Sequence, residues 1–460
     1  MSSSRRITAL VVFGLALGRL AAAQAPAPAP PSGDPVLDAL VAEALERNTD
    51  LLGLAEQLVA ARSRPDQARA LADPTLSVLY TNDGWSPSLG TQPMTTLAIM
   101  GSQELPFPGK RRLRGELAAR EADAVEQQLA RARLGVAAAV RRAYHGLVLN
   151  RERIVLVGDQ EALWKQIEGV ARARYAVGQG AQPDVLRVQI EVTRVDELRT
   201  EQQAEAEIRL AELNRLRDRP AATPVETQAR LGLRSTDESL ERAVERLSAV
   251  SPELKSARLG EERACLRVGL ADKAFKPDFS VQAGYMNRGG LDPMWLAGAS
   301  ITLPLQRKRL AGEKADAEAQ ARASARLADS VRLQLRYRTQ ERLVQLAATQ
   351  RIARLYDQGI IPQGRMSVDA AVANYQSGKV PFVAVLEALT SLYNDRATHL
   401  GLLANHERIR ASLEEASLEE TSSMAPAGAT GMAARGGASM SVGGAGASAD
   451  GSMGSGRSMR

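Results

Sequence analysis

Apolar residues recur every three or four positions from Asp34 to about Leu71, with Leu37, Leu40, Val41 and Leu45 marking one face of a helix. The period then drops to two. Leu76, Val78 and Tyr80 alternate with Thr75, Ser77 and Thr81. After a loop rich in Gly, Pro, Asn and Ser through Pro93, alternation resumes over Thr95 to Gln103, with Leu97 and Ile99 on one side. The two runs predict a β-hairpin with a long tip. Beyond Pro106-Phe107-Pro108-Gly109-Lys110, roughly 65 residues run to Tyr175 without a proline. Within them Val125, Leu129, Ala132, Val136, Val140, Ala143 and Leu147 step by 4, 3, 4, 4, 3 and 4. A mean step near 3.67 belongs to an eleven-residue repeat, so this seam is not expected to wind strongly left-handed. At about 1.5 Å per residue such a helix is on the order of 100 Å long, with Gly158 as its weak point. Gly178, Gly180 and Pro183 end it. Helix resumes from Asp184 to about Arg217, antiparallel to the first across a sharp turn.

The plan then recurs. Helix is predicted over Glu238 to Lys273, strands over Asp278 to Tyr285 and Trp295 to Leu303, a long helix over Leu310 to Gln376, and a return helix from Val383 to about Leu418. Pro362 and Gly364 are expected to kink the long helix once. The echo extends to individual residues. Arg174-Tyr175-Ala176-Val177-Gly178 with Val185-Leu186 returns as Tyr375-Gln376-Ser377-Gly378 with Val385-Leu386, 200 positions later. Asn48-Thr49-Asp50-Leu51 answers Ser251-Pro252-Glu253-Leu254 at an offset of 203, and Leu105-Pro106 answers Leu303-Pro304 at 198. A repeat this long is far above the roughly 20 to 50 residues of a solenoid unit. It predicts two domain-sized pseudo-equivalent halves, residues 34–220 and 237–418, joined by a linker over 221–236.

The strands pose a problem of environment. Phe279, Val281, Ala283 and Tyr285 share one face of their strand, and Trp295, Ala297, Ala299, Ile301 and Leu303 one face of theirs. Ser280, Gln282, Gly284, Gly298, Ser300 and Thr302 occupy the opposite faces. Apolar-out, polar-in alternation with Trp and Tyr near the ends suits lipid-facing barrel strands. It equally suits a half-buried sheet packed on the helices. If lipid is the partner, four strands are too few to close a barrel, which takes about eight or more, so the barrel must be shared between chains.

Composition changes this picture in three places. Only 3% of the residues are aromatic, which favours slender helical packing over large globular cores. The net charge of +6 comes from 59 basic residues interleaved with 53 acidic ones, the pattern of solvated helix faces rather than of a nucleic-acid surface. Residues 1–25 carry Arg5-Arg6, an apolar run from Ile7 to Leu17 and Ala21-Ala22-Ala23-Gln24-Ala25, which predicts a signal peptide. A Pro/Ala linker over 26–33 follows, and no later stretch reaches the roughly 18 apolar residues of a membrane helix. No cysteine follows the signal, so no lipid anchor is expected; the single Cys265 is expected to be buried and inert. Residues 419–460, rich in Gly, Ser and Met, are expected to be disordered.

With these elements in place, the chain resembles the TolC family of outer membrane efflux channels from Asp34 to Leu418. The paired turns, Leu392-Tyr393-Asn394, and the twice-repeated order helix, strand, strand, long helix, turn, helix carry the resemblance. The resemblance implies a mainly α fold with a four-stranded β contribution, in a homotrimer that joins a β-barrel in outer membrane lipid to a periplasmic α-helical barrel. It also implies docking on a periplasmic adaptor protein and an inner membrane pump of the resistance-nodulation-division type. Arg174, Tyr175, Gly178, Val185, Leu186, Tyr375, Gly378, Val385 and Leu386 would lie at the periplasmic tip, and Asp184 and Glu387 would fall on acidic gate positions. Ala384 stands where a relative carries a second carboxylate. Asp184 has an alternative reading as an acid favoured by a helix N-terminus.

Gln103 to Lys110 resembles the strand-to-helix junction of the cobalt-zinc-cadmium and copper-silver resistance branch, which implies heavy-metal cargo. Met424, Met432, Met440, Met453 and Met459 in the tail are weak candidate thioether ligands for Cu(I) or Ag(I). His145, His399 and His406 read as structural, no catalytic arrangement or phosphate-binding loop stands out, and no cofactor is expected. The alternative function is a periplasmic coiled-coil scaffold or adaptor without a membrane barrel.

Overall fold

A computed structural model describes residues 34–89, 92–227, 230–234, 238–416 and 418. The expected signal peptide, the linker over 26–33 and the tail with its five candidate methionines lie outside the described residues. The chain runs α1 (Pro35–Arg47), α2 (Thr49–Arg69), β1 (Thr75–Thr81), β2 (Thr96–Leu105), α3 (Lys110–Ala176) and α4 (Gln182–Leu216). It then repeats as α5 (Leu240–Val250), α6 (Pro252–Ala274), β3 (Asp278–Arg288), β4 (Leu291–Thr302), α7 (Arg307–Leu355), a π turn (Tyr356–Ile360), α8 (Ile361–Gln376) and α9 (Phe382–Glu414).

Two helices expected to be continuous are broken, and at equivalent places. Asn48 leaves helical geometry (φ −58°, ψ 120°), and its side chain accepts from Leu51 N at 3.2 Å while donating to Leu216 O at 3.1 Å. Ser251 does the same between α5 and α6, with φ −56°, ψ 115° and a hydroxyl that accepts from Leu254 N at 3.3 Å. A short polar side chain that satisfies an orphan amide starts a new helix there instead of continuing the old one.

The four strands form one antiparallel sheet in the order β1-β2-β3-β4, so β1 and β4 are its edges. Register decides which residues share a face. Phe279, Val281, Ala283 and Tyr285 stand directly opposite Ile301, Ala299, Ala297 and Trp295, and Val78 lines up with Ile99, which faces Tyr285. The Tyr285 and Trp295 rings meet at 4.9 Å. This apolar face is open: Leu76 is 74% and Trp295 79% exposed, with Val78, Val281 and Ile301 also exposed. A sheet packed on its own helices would have covered these residues, and of the two environments left open by the sequence, that one is absent here.

α3 runs 67 residues without a break at Gly158, so one glycine does not interrupt a helix held by packing along its length. Its seam is used in two blocks. Val125, Leu129, Ala132 and Val136 pack with Leu51 and Leu58 of α2, whereas Val140, Ala143 and Leu147 pack with α1 and with Leu213 and Leu216 of α4. In the second half, where a kink was expected, the long helix is interrupted by the π turn, which ends two residues before Pro362. Pro362 has no amide to close an ordinary helical bond, and a widened turn accommodates that. The offset between the halves grows from 198 at Leu105 and Leu303 to 200 at Tyr175 and Tyr375, and the wider turn takes up part of the surplus.

Charged pairs tie the end of α9 to the rest of the fold. Arg131 of α3 reaches Glu253 of α6 at 2.6 Å and Glu415 at 2.7 Å, while Arg142 reaches Glu415 at 2.9 Å. Cys265 is exposed, contrary to expectation. Its neighbour Ala264 takes the buried position on α6, and one residue further turns the thiol about 100° away.

Candidate functional site

The two turns are built alike and lie side by side. At the end of α3, Gly178 has φ +72°, its amide donates to Tyr175 O at 3.0 Å, and Gln179 N donates to Arg174 O at 2.9 Å. At the end of α8, Gly378 has φ +74°, donates to Tyr375 O at 3.0 Å, and Lys379 N donates to Asn374 O at 2.8 Å. This doubled bond with a left-handed residue is the Schellman ending, which explains a glycine at both places. Pro183 then falls in the first turn of α4 and Pro381 at the N-cap of α9, where a missing amide costs nothing.

Below the turns α3, α4, α8 and α9 share one core, containing Trp164, Ile167, Val188, Tyr375, Phe382, Val385 and Leu389, with Val185 and Leu386 packed at its margin. Across it runs a polar contact between the halves. The Tyr375 hydroxyl donates to Asp184 Oδ2 at 3.3 Å, and the Arg174 guanidinium lies over the Tyr375 ring at 4.6 Å while donating to Gln179 O at 2.9 Å. Burial, and then the Asp184 carboxylate, push the Tyr375 hydroxyl above its usual acidity range, so it stays a donor. Arg174, Asp184, Tyr375, Gly378, Val385 and Leu386 are thus brought together.

Two of their repeat-equivalents are not: Tyr175 is 50% exposed against 3% for Tyr375, and Leu186 is exposed, as is the expected gate residue Glu387. Asn374 replaces Arg174 and Ala384 replaces Asp184 at the corresponding positions of the second half. The charged contact therefore exists in one of two possible copies.

A second charged cluster, not assembled by sequence reasoning, lies between α3 and α9. Glu407 stands 3.7 Å from His145 Nε2, 3.5 Å from His406 Nδ1 and 3.5 Å from Arg410 Nη1. Burial raises the Glu407 carboxyl, but these neighbours outweigh it and hold it below 4.5, while burial holds His145 below 6.5 despite Glu407. His145 and His406 belong to different halves, and nothing in their spacing announces that they meet. Among the described residues no group of three or more His, Cys, Asp or Glu is arranged to hold a metal ion.

A protein-family model described as outer membrane efflux protein matches residues 40–216 and 243–417. The cobalt-zinc-cadmium resistance protein CzcC of Cupriavidus metallidurans is 24% identical over 395 residues, covering 81% of this chain and 87% of that protein. The nickel-cobalt-cadmium resistance protein NccC of Alcaligenes xylosoxydans xylosoxydans is 25% identical over 339 residues, covering 73% and 74%. Among solved structures, the outer membrane protein VceC of Vibrio cholerae matches with a TM-score of 0.71 at 21% identity, covering 84% of this chain and 96% of that one. The open-state outer membrane channel MtrE of Neisseria gonorrhoeae matches at 0.67 and 19%, covering 83% and 89%.

Proposed function

The chain belongs to the outer membrane efflux protein family, channels that work as trimers within tripartite efflux systems, and from that premise we propose how this channel is assembled, gated and supplied. Its open apolar sheet face carries the proposal. Three copies bring twelve strands together, with β4 of one copy beside β1 of the next, so no edge is left facing lipid. Leu76, Val78, Val281, Ile301 and Trp295 then meet hydrocarbon, while Ser280, Gln282 and Ser300 line the conduit. Residues 34–220 and 237–418 act as the two repeats, with 221–236 as their linker.

The helices continue the conduit into the periplasm and the paired turns form its tip. Exposed Tyr175 and Leu186, with Arg174, Gly178, Val185, Tyr375, Gly378, Val385 and Leu386 around them, dock a periplasmic adaptor protein. Through it the channel joins an inner membrane pump of the resistance-nodulation-division type. Asp184 and Glu387 act as the cation-attracting gate. Within a chain the contact of Arg174, Tyr375 and Asp184 holds the halves together. Between chains its equivalents are Asn374, Tyr175 and Ala384, so those three junctions lack the charged partners and open first.

Heavy-metal cations are the proposed cargo. Resemblance to two heavy-metal resistance proteins over most of the chain supports this reading. Deleting the gene and measuring tolerance to cobalt, zinc, cadmium, nickel, copper, silver and common drugs tests it, with metal sensitivity expected. Sensitivity to drugs alone overturns the cargo. A detergent-stable trimer in the outer membrane fraction is the matching expectation for assembly.

A further inference from the structure

The sheet face opposite the apolar one is not uniformly polar. Thr75, Ser102, Gln282 and Gly298 form one cross-strand row at its helical end, as a water-filled conduit requires. Two rows further along, Ala98 stands opposite Met286, and Met286 opposite Met294. Met100 lies on the same face, opposite Gly284, one row closer to the helices. Its side chain leans across onto β3: Met100 Cγ is 2.9 Å from the place a Cβ on Gly284 would occupy. The missing side chain at Gly284 is therefore what lets Met100 approach the Met286 strand. Met286 has its Cβ about 5 Å from that of the directly opposed Met294 and about 7 to 8 Å from that of the diagonal Met100, distances that flexible thioethers span, whereas Met100 on β2 and Met294 on β4 have β3 between them. Ala98 is covered and Met286 half-buried, while Met294 remains exposed to whatever passes.

The distribution of methionine is uneven. Of the five methionines among the described residues, Met94, Met100, Met286 and Met294 lie in or beside the sheet and only Met366 lies elsewhere. Leucine, present on this face at Leu79 and Leu296, would fill the same volume without sulfur. Sulfur adds the ability to bind a soft cation without releasing a proton, since a thioether has none to lose.

We propose that Met100, Met286 and Met294 form two adjoining thioether positions that share Met286, one with Met294 and one with Met100, for a soft monovalent cation, Cu+ or Ag+, on the conduit face of the sheet. Their place on the conduit rests on the channel reading above; the binding chemistry does not. At either position two thioethers supply neutral donors and leave the ion its charge, so it is held weakly enough to leave again, which a transit point requires.

The test is a titration of the full-length trimer with Ag+, in a Cys265→Ser background so that the exposed thiol does not compete. The triple variant Met100→Leu, Met286→Leu, Met294→Leu keeps volume and apolarity. It is expected to remain a trimer and to bind about one Ag+ per chain fewer than its parent. Tail methionines contribute equally to both proteins and cancel. Silver X-ray absorption of the parent is expected to show sulfur ligands at this site that are lost in the variant. Equal Ag+ uptake by an intact triple variant, or no sulfur-bound silver lost with the three residues, overturns the proposal while leaving the channel reading untouched. Failure of the parent to form a trimer in the outer membrane fraction counts against the channel instead.

Discussion

Tyr175 and Tyr375 occupy the same place in two copies of one turn, yet one ring faces solvent and the other lies beneath Arg174 with its hydroxyl on Asp184. The sequence shows the two tyrosines as equals, because burial depends on which side of the junction each half presents. Removing the hydroxyl with Tyr375→Phe is expected to cost about 0.5 to 1.5 kcal/mol, the usual net value of one hydrogen bond. In bilayer recordings that variant, like Asp184→Ala, is expected to raise the leak of the resting channel, whereas Tyr175→Phe is not. Identical recordings from the two tyrosine variants would remove the asymmetry from the gating argument. The His145 and Glu407 pair makes a separate prediction about pH. Both groups have folded-state pKa values below their ordinary ones, so the folded form binds fewer protons than the unfolded. Stability is then complete above about 6.5 for His145 and above about 4.5 for Glu407, and is lost as pH falls through the lower folded-state values. Thermal melting followed from about pH 7.5 to pH 4 is expected to show this decline, and His145→Gln to flatten its upper part.

At the scale of elements, the strands and long helices were legible because their periods, two and near 3.6, differ so plainly. Leu76, Val78 and Tyr80 alternate with Thr75, Ser77 and Thr81, with Leu79 as the exception on the opposite face, and the register of Tyr285 on Trp295 follows once the pairing is known. The breaks at Asn48 and Ser251 were less visible, although the signal was present in the echo of Asn48-Thr49-Asp50 and Ser251-Pro252-Glu253. Both are cap residues followed by an acid in the first helical turn. Apolar periodicity runs on across a one-residue break and hides it. Asn48→Ala and Ser251→Ala are each expected to cost about 1 kcal/mol. The loss at Asn48 is expected to be the larger, because that side chain also donates to Leu216 O across 168 residues. Denaturant midpoints compare the two directly.

At the scale of the whole molecule, the likeness of the two turns was legible, and the side on which each copy is covered was not. The environment of the sheet also needed coordinates, since alternation alone fits lipid and helix equally well. Trp295 gives a direct assay of that environment. In a protein whose Trp85 and Trp164 are replaced by Phe, the remaining fluorescence is expected to be quenched strongly by lipids carrying a bromine or spin label on the acyl chain. A protein retaining only Trp164, which is buried in the core below the turns, is expected to show no such quenching.

The pairing of β2 with β3 joins Leu97 to Asn287 and Leu105 to Phe279, so the middle of the sheet is closed by residues some 170 to 190 positions apart. A two-stranded hairpin is marginal in water, and β1 with β2 is no more than that until the second half arrives. The helices close through nearer contacts, as α3 does on α4 across a turn of five residues, 177–181, and so can form early. Assembly thus acquires an order in time. The complete four-stranded surface is expected to form only after the helical body that carries it, which keeps the water-exposed life of that surface short.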